Sequence, residues 1–415
     1  MRRILLLIPA TSYRATAFVE AARAMGVEIT VGSNHKSTLA AMNPAGFLSL
    51  DIHNLPQAVE TARSFAKKYP VDAVIGVDDQ SVIAASAIAE ELNLNHNTII
   101  SVTAARNKYI MREFLSQHNI PQPAYRKASL NDDKEKLNEI TTYPAVVKPV
   151  ALSGSRGVVK VTNRQELHEA VSLIRNIIST LVAHEKGQEA KTILIEEYID
   201  GDEVAVDGLL IDEKLHPLVL FDKPEPLRGP FFEETMYTTP SRHSTKIQSE
   251  IFEVVKNAAQ AMGLMTGPVH AELRFNETGI YLIELAARSI GGYCAQILRF
   301  EDPATGTTNS TLEELIVRDA LDEPVYSYRR EKDAVGVMML PVPGRGIVRK
   351  IYGKQEAKQV PCITDVVITV REGEELIPLP ESGKYPGFIF SRAKRPVEVE
   401  RALRKAHSLL KFEMG

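Results

Sequence analysis

Apolar and polar positions alternate in short blocks over the first hundred residues. The apolar runs Ile4–Pro9, Val27–Val31 and Ala73–Val77 read as buried strands, and the periodic segments Ala15–Met25, Leu55–Tyr69 and Ser81–Leu92 read as helices. Strands alternating with helices predict a parallel sheet of the α/β type. After Thr98 the pattern changes. One helix carrying Asn107, Lys108 and Met111 is expected to run to His118-Asn119, ahead of Pro121 and Pro123. A strand follows at Ala145–Pro149, then a small-residue loop from Leu152 to Gly157 and a strand at Val158–Val161. Asn163, with Glu166 three residues on, is the expected cap pair of a helix through Leu181. Thr192–Ile199 reads as a strand, and Glu203–Leu210 with Leu215–Phe221 as a hairpin. A Pro-rich loop from Lys223 through Pro230 precedes a helix at Ile247–Met262 and a second hairpin at His270–Ala287. Beyond Glu323 a third region carries strands near Val335–Leu340 and Asp365–Val370 and a closing helix at Val397–Leu410.

Composition narrows the class. A chain of 415 residues is too long for one ordinary core and predicts two to three domains. Hydrophobic residues at 44% and charged residues at 25% fit a globular enzyme and exclude disorder, collagen and coiled coil. Lys plus Arg at 49 against Asp plus Glu at 53 gives a net charge of −4, which offers no support for a nucleic-acid or anionic-membrane partner. No apolar run approaches the ~20 residues that span a bilayer. Met1-Arg2-Arg3 followed by Ile4–Ile8 mimics a signal peptide, but the run is short and Arg14 and Glu20 follow it, so it reads as a buried strand. Cys294 and Cys362 are too few for a disulfide framework or a zinc site. A cytoplasmic multidomain enzyme is the expectation.

Four segments bear on chemistry. A dinucleotide fold needs glycines after its first strand, and Pro9-Ala10-Thr11-Ser12-Tyr13-Arg14 has none, which argues against a nicotinamide oxidoreductase. In the hairpin after His270, a three-residue loop Glu277-Thr278-Gly279, with Gly279 left-handed, would pair residues whose numbers sum to 556 and set Glu272 opposite Glu284. Ala271, Leu273 and Phe275 then face the core. Facing carboxylates repel by up to ~1 kcal/mol, so either a hard divalent cation or the neighbours Arg274 and His270 must neutralise them. Lys148 ends an apolar strand, and the loop Ser153-Gly154-Ser155-Arg156-Gly157 offers amides that could wrap phosphoryl oxygens, although it is not a P-loop. Glu196-Glu197 ends another strand, ahead of Asp200-Gly201-Asp202-Glu203, where carboxylates could accept from ribose hydroxyls or an adenine amine, or simply face solvent.

Taken in order, these residues resemble the ATP-grasp ligases over roughly residues 106–292. The resemblance implies Lys108 and Lys148 as the two nucleotide lysines, Ser153, Gly154, Ser155 and Gly157 as the lid loop, Glu196, Glu197 and Ile199 as the adenine hinge, and Glu203 as the ribose carboxylate. Glu272 and Glu284 match the magnesium glutamates and Arg288 the terminal arginine. Ala286 stands where the family usually has Asn, which leaves open whether one or two Mg²⁺ ions bind with ATP. Glu284–Gly292 and the C-terminal Pro380-Glu381-Ser382-Gly383 and Gly387-Phe388-Ile389 are similar to the L-amino acid ligase subgroup.

The implied architecture is a mixed α/β and α+β multidomain chain: a Rossmann-like domain at 1–105, an ATP-grasp module at 106–325 with its lid at 122–198, and a C-terminal α+β domain at 326–415. The implied reaction is ADP-forming. A carboxylate is phosphorylated by ATP and the acyl phosphate is captured by an amine, with amino acids as substrates and a dipeptide as product. Lys148 and Arg288 would act on the transferring group. Arg228, Glu233, His270 and Arg288 lie in segments that could line the acceptor site. The partners are then ATP and a small carboxylate and amine, with a homodimer as an open option for the assembly. An ATP-grasp carboxylase, a purine-pathway type of ligase and a nucleotide-binding protein of weak turnover stay as alternatives.

Overall fold

The computed structural model describes residues 1–9, 12, 14–34, 43–181 and 189–415. Ala10, Thr11 and Tyr13 of the glycine-free loop lie outside them. The expected parallel sheet is present. Arg3–Leu7 sits between Glu28–Ser33 and Ala73–Gly76, and Phe47–Ser49, which sequence reading did not anticipate, pairs outside Glu28–Ser33. Every residue of Arg3–Leu7 is buried, as a central parallel strand requires.

The single helix expected around Lys108 is two. Ile99–Arg106 ends at Asn107, whose side chain accepts the amides of Tyr109 (3.0 Å) and Ile110 (3.2 Å) and caps Lys108–Gln117. This places Lys108 at the first position of a helix rather than inside one. Periodicity alone does not reveal such a break, because Asn107 costs little in a helix and gains only by capping.

The lid is a four-stranded antiparallel sheet ordered Tyr125–Ser129, Thr192–Glu197, Ala145–Pro149, Val159–Val161. Helix Arg164–Thr180 packs on it through Leu167, Val171 and Ile174, and its Asn163 cap accepts the Glu166 amide at 3.1 Å as expected.

The largest sheet has eight antiparallel strands and carries the chain across the expected boundary at residue 325. Its order is Gly279–Ala286, Gly267–Asn276, Asp202–Ile211, Lys214–Asp222, Met236–Thr239, Ala334–Met339, Gly387–Ala393, Ile363–Ile368. Strand Asp202–Ile211 is covered on both faces. Val204, Val206 and Leu210 meet helix Thr245–Ala261 and the two helices around Asn107, whereas Ala205 and Leu209 join the core that contains Ile4, Leu6 and Phe18 of the N-terminal sheet. Glu203 and Asp207 belong to the second face by strand alternation.

The hairpin pairs Glu272 with Glu284, but not by the expected turn. Asn276 pairs with Gly279 across the two-residue connection Glu277-Thr278, so the register near the turn sums to 555. The Asn276 side chain accepts the Thr278 amide at 2.8 Å, and Gly279 has φ +152° rather than a left-handed helical value. A bulge that leaves Ile283 unpaired then restores the sum of 556 from Glu272 down to His270. The Ile283 carbonyl is taken by Arg112 Nη2 at 2.7 Å.

Candidate active site

A cavity of about 710 Å³ opens where the parallel sheet, the lid loop, the second face of the eight-stranded sheet and the segment from Thr369 to Phe388 meet. Of the residues singled out from sequence, it brings together Lys108, Lys148, Ser153, Gly154, Ser155, Glu196, Glu197, Ile199, Glu203, His270, Glu272, Glu284 and Arg288. Among the described residues, Gly157, Arg228 and Glu233 do not line it. Gly157 turns behind the loop with φ +72°, its amide donating to the Pro380 carbonyl at 2.9 Å. Arg228 is exposed, and its carbonyl accepts Lys160 Nζ at 3.1 Å. Glu233 accepts the Val342 amide at 3.1 Å and so ties its loop to the C-terminal region.

Strand register sets the charges. Glu203, Asp207, His270, Glu272 and Arg274 share one face, because Arg274 pairs with Glu203 and His270 with Asp207. Glu203 accepts Arg274 Nε at 2.6 Å and Lys223 Nζ at 2.7 Å. The same Lys223 ammonium reaches Glu234 at 2.5 Å and Glu272 at 3.0 Å. Burial opposes its charge, but the three carboxylates outweigh that and hold Lys223 firmly protonated. Burial and the neighbouring Glu272 push Glu234 up to about 7 in spite of Lys223. Burial also disfavours a charged His270, yet Asp207 and Glu272 raise it to about 9. Its ring nitrogens lie 3.5 Å from Asp207 and 3.6 Å from Glu272.

A second cluster sits under the lid. Glu196 is buried and accepts Arg112 Nε at 2.8 Å and Lys148 Nζ at 2.6 Å. Its carboxylate is thereby committed to two cations, whereas the neighbouring Glu197 is exposed. Burial lowers the Lys148 pKa despite Glu196. Lys108 donates to Glu284 at 3.0 Å and to the Leu152 carbonyl at 2.9 Å, which links the capped helix, the hairpin and the lid. Arg288 makes a two-pronged pair with Asp79, Nε to Oδ1 at 2.9 Å and Nη2 to Oδ2 at 3.0 Å.

The oxygen donors suit a hard divalent cation. Glu272 faces Glu284 as expected, and Glu203, Glu234 and Glu272 also bring one carboxylate oxygen each within 4.8 Å of one another. Ala286 lines the cavity and contributes no side-chain oxygen, so the side-chain donors gathered here among the described residues are carboxylates. Each of these acids already holds an ammonium group, which is the electrostatic demand that a metal would meet.

Sequence reading missed Lys223, Arg112 and Asp79, and reached Glu234 only as part of the segment Phe232–Thr235 offered to the acceptor site. Lys223 follows directly on an apolar strand, the same signal that singled out Lys148. Asp79 follows a strand at the carboxyl edge of a parallel sheet, where ligands gather in α/β folds. Nothing local marks Arg112, a helix residue whose partners lie 84 and 171 positions away.

Three segments match known domain families: residues 19–96 the ATP-grasp N-terminal domain, 141–297 the ATP-grasp domain, and 338–415 the L-amino acid ligase C-terminal domain 2. The chain is therefore an ATP-grasp ligase, of the class that joins a carboxylate to an amine. Within that class it resembles the L-amino acid ligases, whose C-terminal domain it carries. The crystal structure of an L-amino acid ligase from Bacillus licheniformis superposes with a TM-score of 0.80 at 26% identity, covering 100% of this chain and 99% of that one. An alanine–anticapsin ligase of Bacillus subtilis (strain 168) is 25% identical over 58% of this chain and 53% of its own length. A dapdiamide A synthase of Enterobacter agglomerans is 25% identical over 69% of this chain and 68% of its own. ATP-grasp ligases use ATP with Mg²⁺. Among the described residues no helix is long and apolar enough to cross a membrane.

Proposed function

We propose that this protein activates the carboxylate of one amino acid as an acyl phosphate and joins it to the amino group of a second, releasing a dipeptide, ADP and phosphate. The observation that carries the reading is the wall of the cavity. Thr369, Gly383, Lys384, Tyr385 and Phe388 line it, all within the segment that matches the L-amino acid ligase C-terminal domain. The donor carboxylate oxygen attacks the γ-phosphorus and ADP leaves. The acceptor amine then attacks the acyl carbon and phosphate departs with that oxygen.

Two anions must meet for the first step, so their charge has to be offset. Lys148 and Lys108 line the cavity from the lid and from a helix start, and Arg288 lines it as well. Glu272 and Glu284 would hold Mg²⁺, with Glu203 and Glu234 within reach, and the ion would supply Lewis-acid stabilisation of the phosphates. An acyl phosphate hydrolyses unless water is kept away. The lid loop is drawn against the C-terminal segment, with Gly157 bonded to Pro380 and Gly383 so close to Gly154 that a Cβ would fall 2.7 Å from its carbonyl oxygen.

A panel of amino-acid pairs, assayed for ADP release with mass spectrometry of products, tests the reading against bicarbonate with biotin or a purine precursor. Amino-acid-dependent ADP release and a dipeptide mass are expected, and ¹⁸O from the donor carboxylate should appear in inorganic phosphate. Label in AMP would exclude the acyl phosphate. Ala286 favours one second reading, a nucleotide-binding protein of weak turnover. Tight ATP binding with no turnover across the panel would decide for it.

A further inference from the structure

The turn after Ala73–Gly76 divides its two aspartates between different tasks. Asp78 builds the turn: its Oδ1 accepts the amides of Gln80 (3.1 Å) and Ser81 (3.3 Å) and the Ser81 hydroxyl (3.2 Å). Gly76 lets Val82 close over the turn, since a Cβ there would lie 2.8 Å from the Val82 Cα. Asp79 takes no part in this bonding. Its carboxylate projects into the cavity and meets only Arg288 among the hydrogen-bonding side chains described. Arg288 in turn spends its third nitrogen on the Ser289 carbonyl at 3.1 Å. Burial opposes the ionised form of Asp79, but Arg288, then Lys108 and His270, keep its pKa below the usual value. The N-terminal domain thus offers the Asp79 carboxylate to a cavity that Asp78, Lys384 and Tyr385 also line, together with the apolar Ile290, Met339 and Phe388.

We propose that Asp79 is the receptor for the α-ammonium group of the donor amino acid, and so a specificity determinant of the ligase; this rests on the dipeptide-forming reading above. An α-amino acid carries its two charges one carbon apart. Laid antiparallel along the Asp79–Arg288 pair, it sets ammonium against carboxylate and carboxylate against guanidinium, with its side chain toward the apolar wall. The acceptor is the wrong occupant. Its amine must lose a proton before it attacks, and a carboxylate at hydrogen-bond distance stabilises the protonated form. On the donor that same effect is useful, because an ammonium held protonated cannot compete as the nucleophile.

The test is selectivity between an amino acid and the acid lacking its amino group, alanine against propionate and leucine against 4-methylpentanoate. Losing one charge-assisted hydrogen bond should lower kcat/KM for the amino acid by about 10- to 100-fold in Asp79→Asn, and leave the deamino acid nearly unchanged, so that the preference collapses. KM for ATP should stay within about twofold. Asp79→Glu, which retains the charge, should recover part of the preference. Stabilisation of Asp79→Asn by Mg²⁺ and ATP in a melt reports that the site still forms. An unchanged preference in Asp79→Asn overturns the proposal, as does an equal loss for both donors, which would make the pair a strut between domains. If the wild-type protein releases no ADP with any amino acid, the dipeptide reading fails and the proposal with it. Wild-type turnover with unaltered Asp79→Asn selectivity sinks the proposal alone.

Discussion

Replacing Lys223 by Met should destabilise the protein strongly in chelator and far less in excess divalent cation. The lysine ammonium lies 2.7, 2.5 and 3.0 Å from Glu203, Glu234 and Glu272. It is the shared cation of three acids; Arg274 also meets Glu203, and His270 lies 3.6 Å from Glu272. Removing one partner of a buried pair costs about 3–5 kcal/mol, because the other charge is left without compensation. For a cooperative unit of about 200 residues that corresponds to a drop of roughly 6–20 °C in melting temperature. The loss should depend on pH. Glu234 has a folded pKa of about 7 against 4.5 when exposed, so its contribution to stability is complete below 4.5 and is lost as pH rises through 7. With Lys223 gone the folded pKa values of the cluster rise further, and the penalty grows from pH 5 to pH 8. Since three carboxylate oxygens lie within 4.8 Å of one another, Mg²⁺ or Ca²⁺ should restore much of the stability of Lys223→Met while moving the wild-type melt little. Melts at pH 5 and pH 8, in EDTA and in millimolar Mg²⁺, decide the matter. A variant that melts with the wild type at pH 8 in EDTA would show that Lys223 is not the cation on which the cluster depends.

Other substitutions separate the remaining parts. Glu272→Gln and Glu284→Gln should each abolish turnover with the fold retained, and Glu277→Gln, in the hairpin connection, should leave rates unchanged; near-wild-type activity of either site variant at low Mg²⁺ refutes the metal assignment. Lys148→Ala should raise KM for ATP and lower kcat together while the protein stays folded, because Arg112 remains on Glu196; unchanged kinetics would make the lysine structural. Gly157→Val meets Pro149 at 3.1 Å from a residue at φ +72°, so it should open the lid loop and raise ATP hydrolysis relative to ligation, measured as the ratio of ADP to product. Asp319 is raised to about 7 by burial and by Asp322 and Asp212, so ionising it weakens the fold as pH climbs from 3.8 through 7. Asp319→Asn should therefore stabilise the protein at pH 8 by about 2–4 kcal/mol and change little below pH 4, and a melt showing no gain at pH 8 excludes it.

The parallel sheet was legible because burial on both faces writes continuous apolar runs such as Ile4–Ile8 into the chain. The eight-stranded sheet was not. It joins Met236–Thr239 to Ala334–Met339, a pairing across about a hundred residues that leaves no local pattern, and the first of these strands has only four residues. The facing of Glu272 and Glu284 was inferred correctly from a turn that does not exist. A two-residue connection shifted the register by one, and the bulge at Ile283 shifted it back. Periodicity shows which residues share a face, but a bulge is fixed by partners elsewhere, here Arg112 on the freed carbonyl.

The site's charge pattern follows from the same distinction. Sequence order singled out Lys108, Lys148, Glu272, Glu284 and Arg288 as individual ligands of nucleotide and metal. The fold instead gives each of them a protein partner of opposite sign: Glu284 for Lys108, Glu196 for Lys148, Lys223 for Glu272 and Asp79 for Arg288. Such pairing is what allows a lysine as buried as Lys148 to exist in the absence of substrate. It also fixes the energetics of binding. A triphosphate arriving with its metal brings both signs of charge, so ammonium groups can pass from carboxylates to phosphates as the carboxylates pass to the metal. On the proposed reading such an exchange would leave each buried charge with a partner. A nucleotide without the divalent ion would draw Lys108 off Glu284 and strand that carboxylate, so metal-free ATP should bind markedly more weakly than the complex.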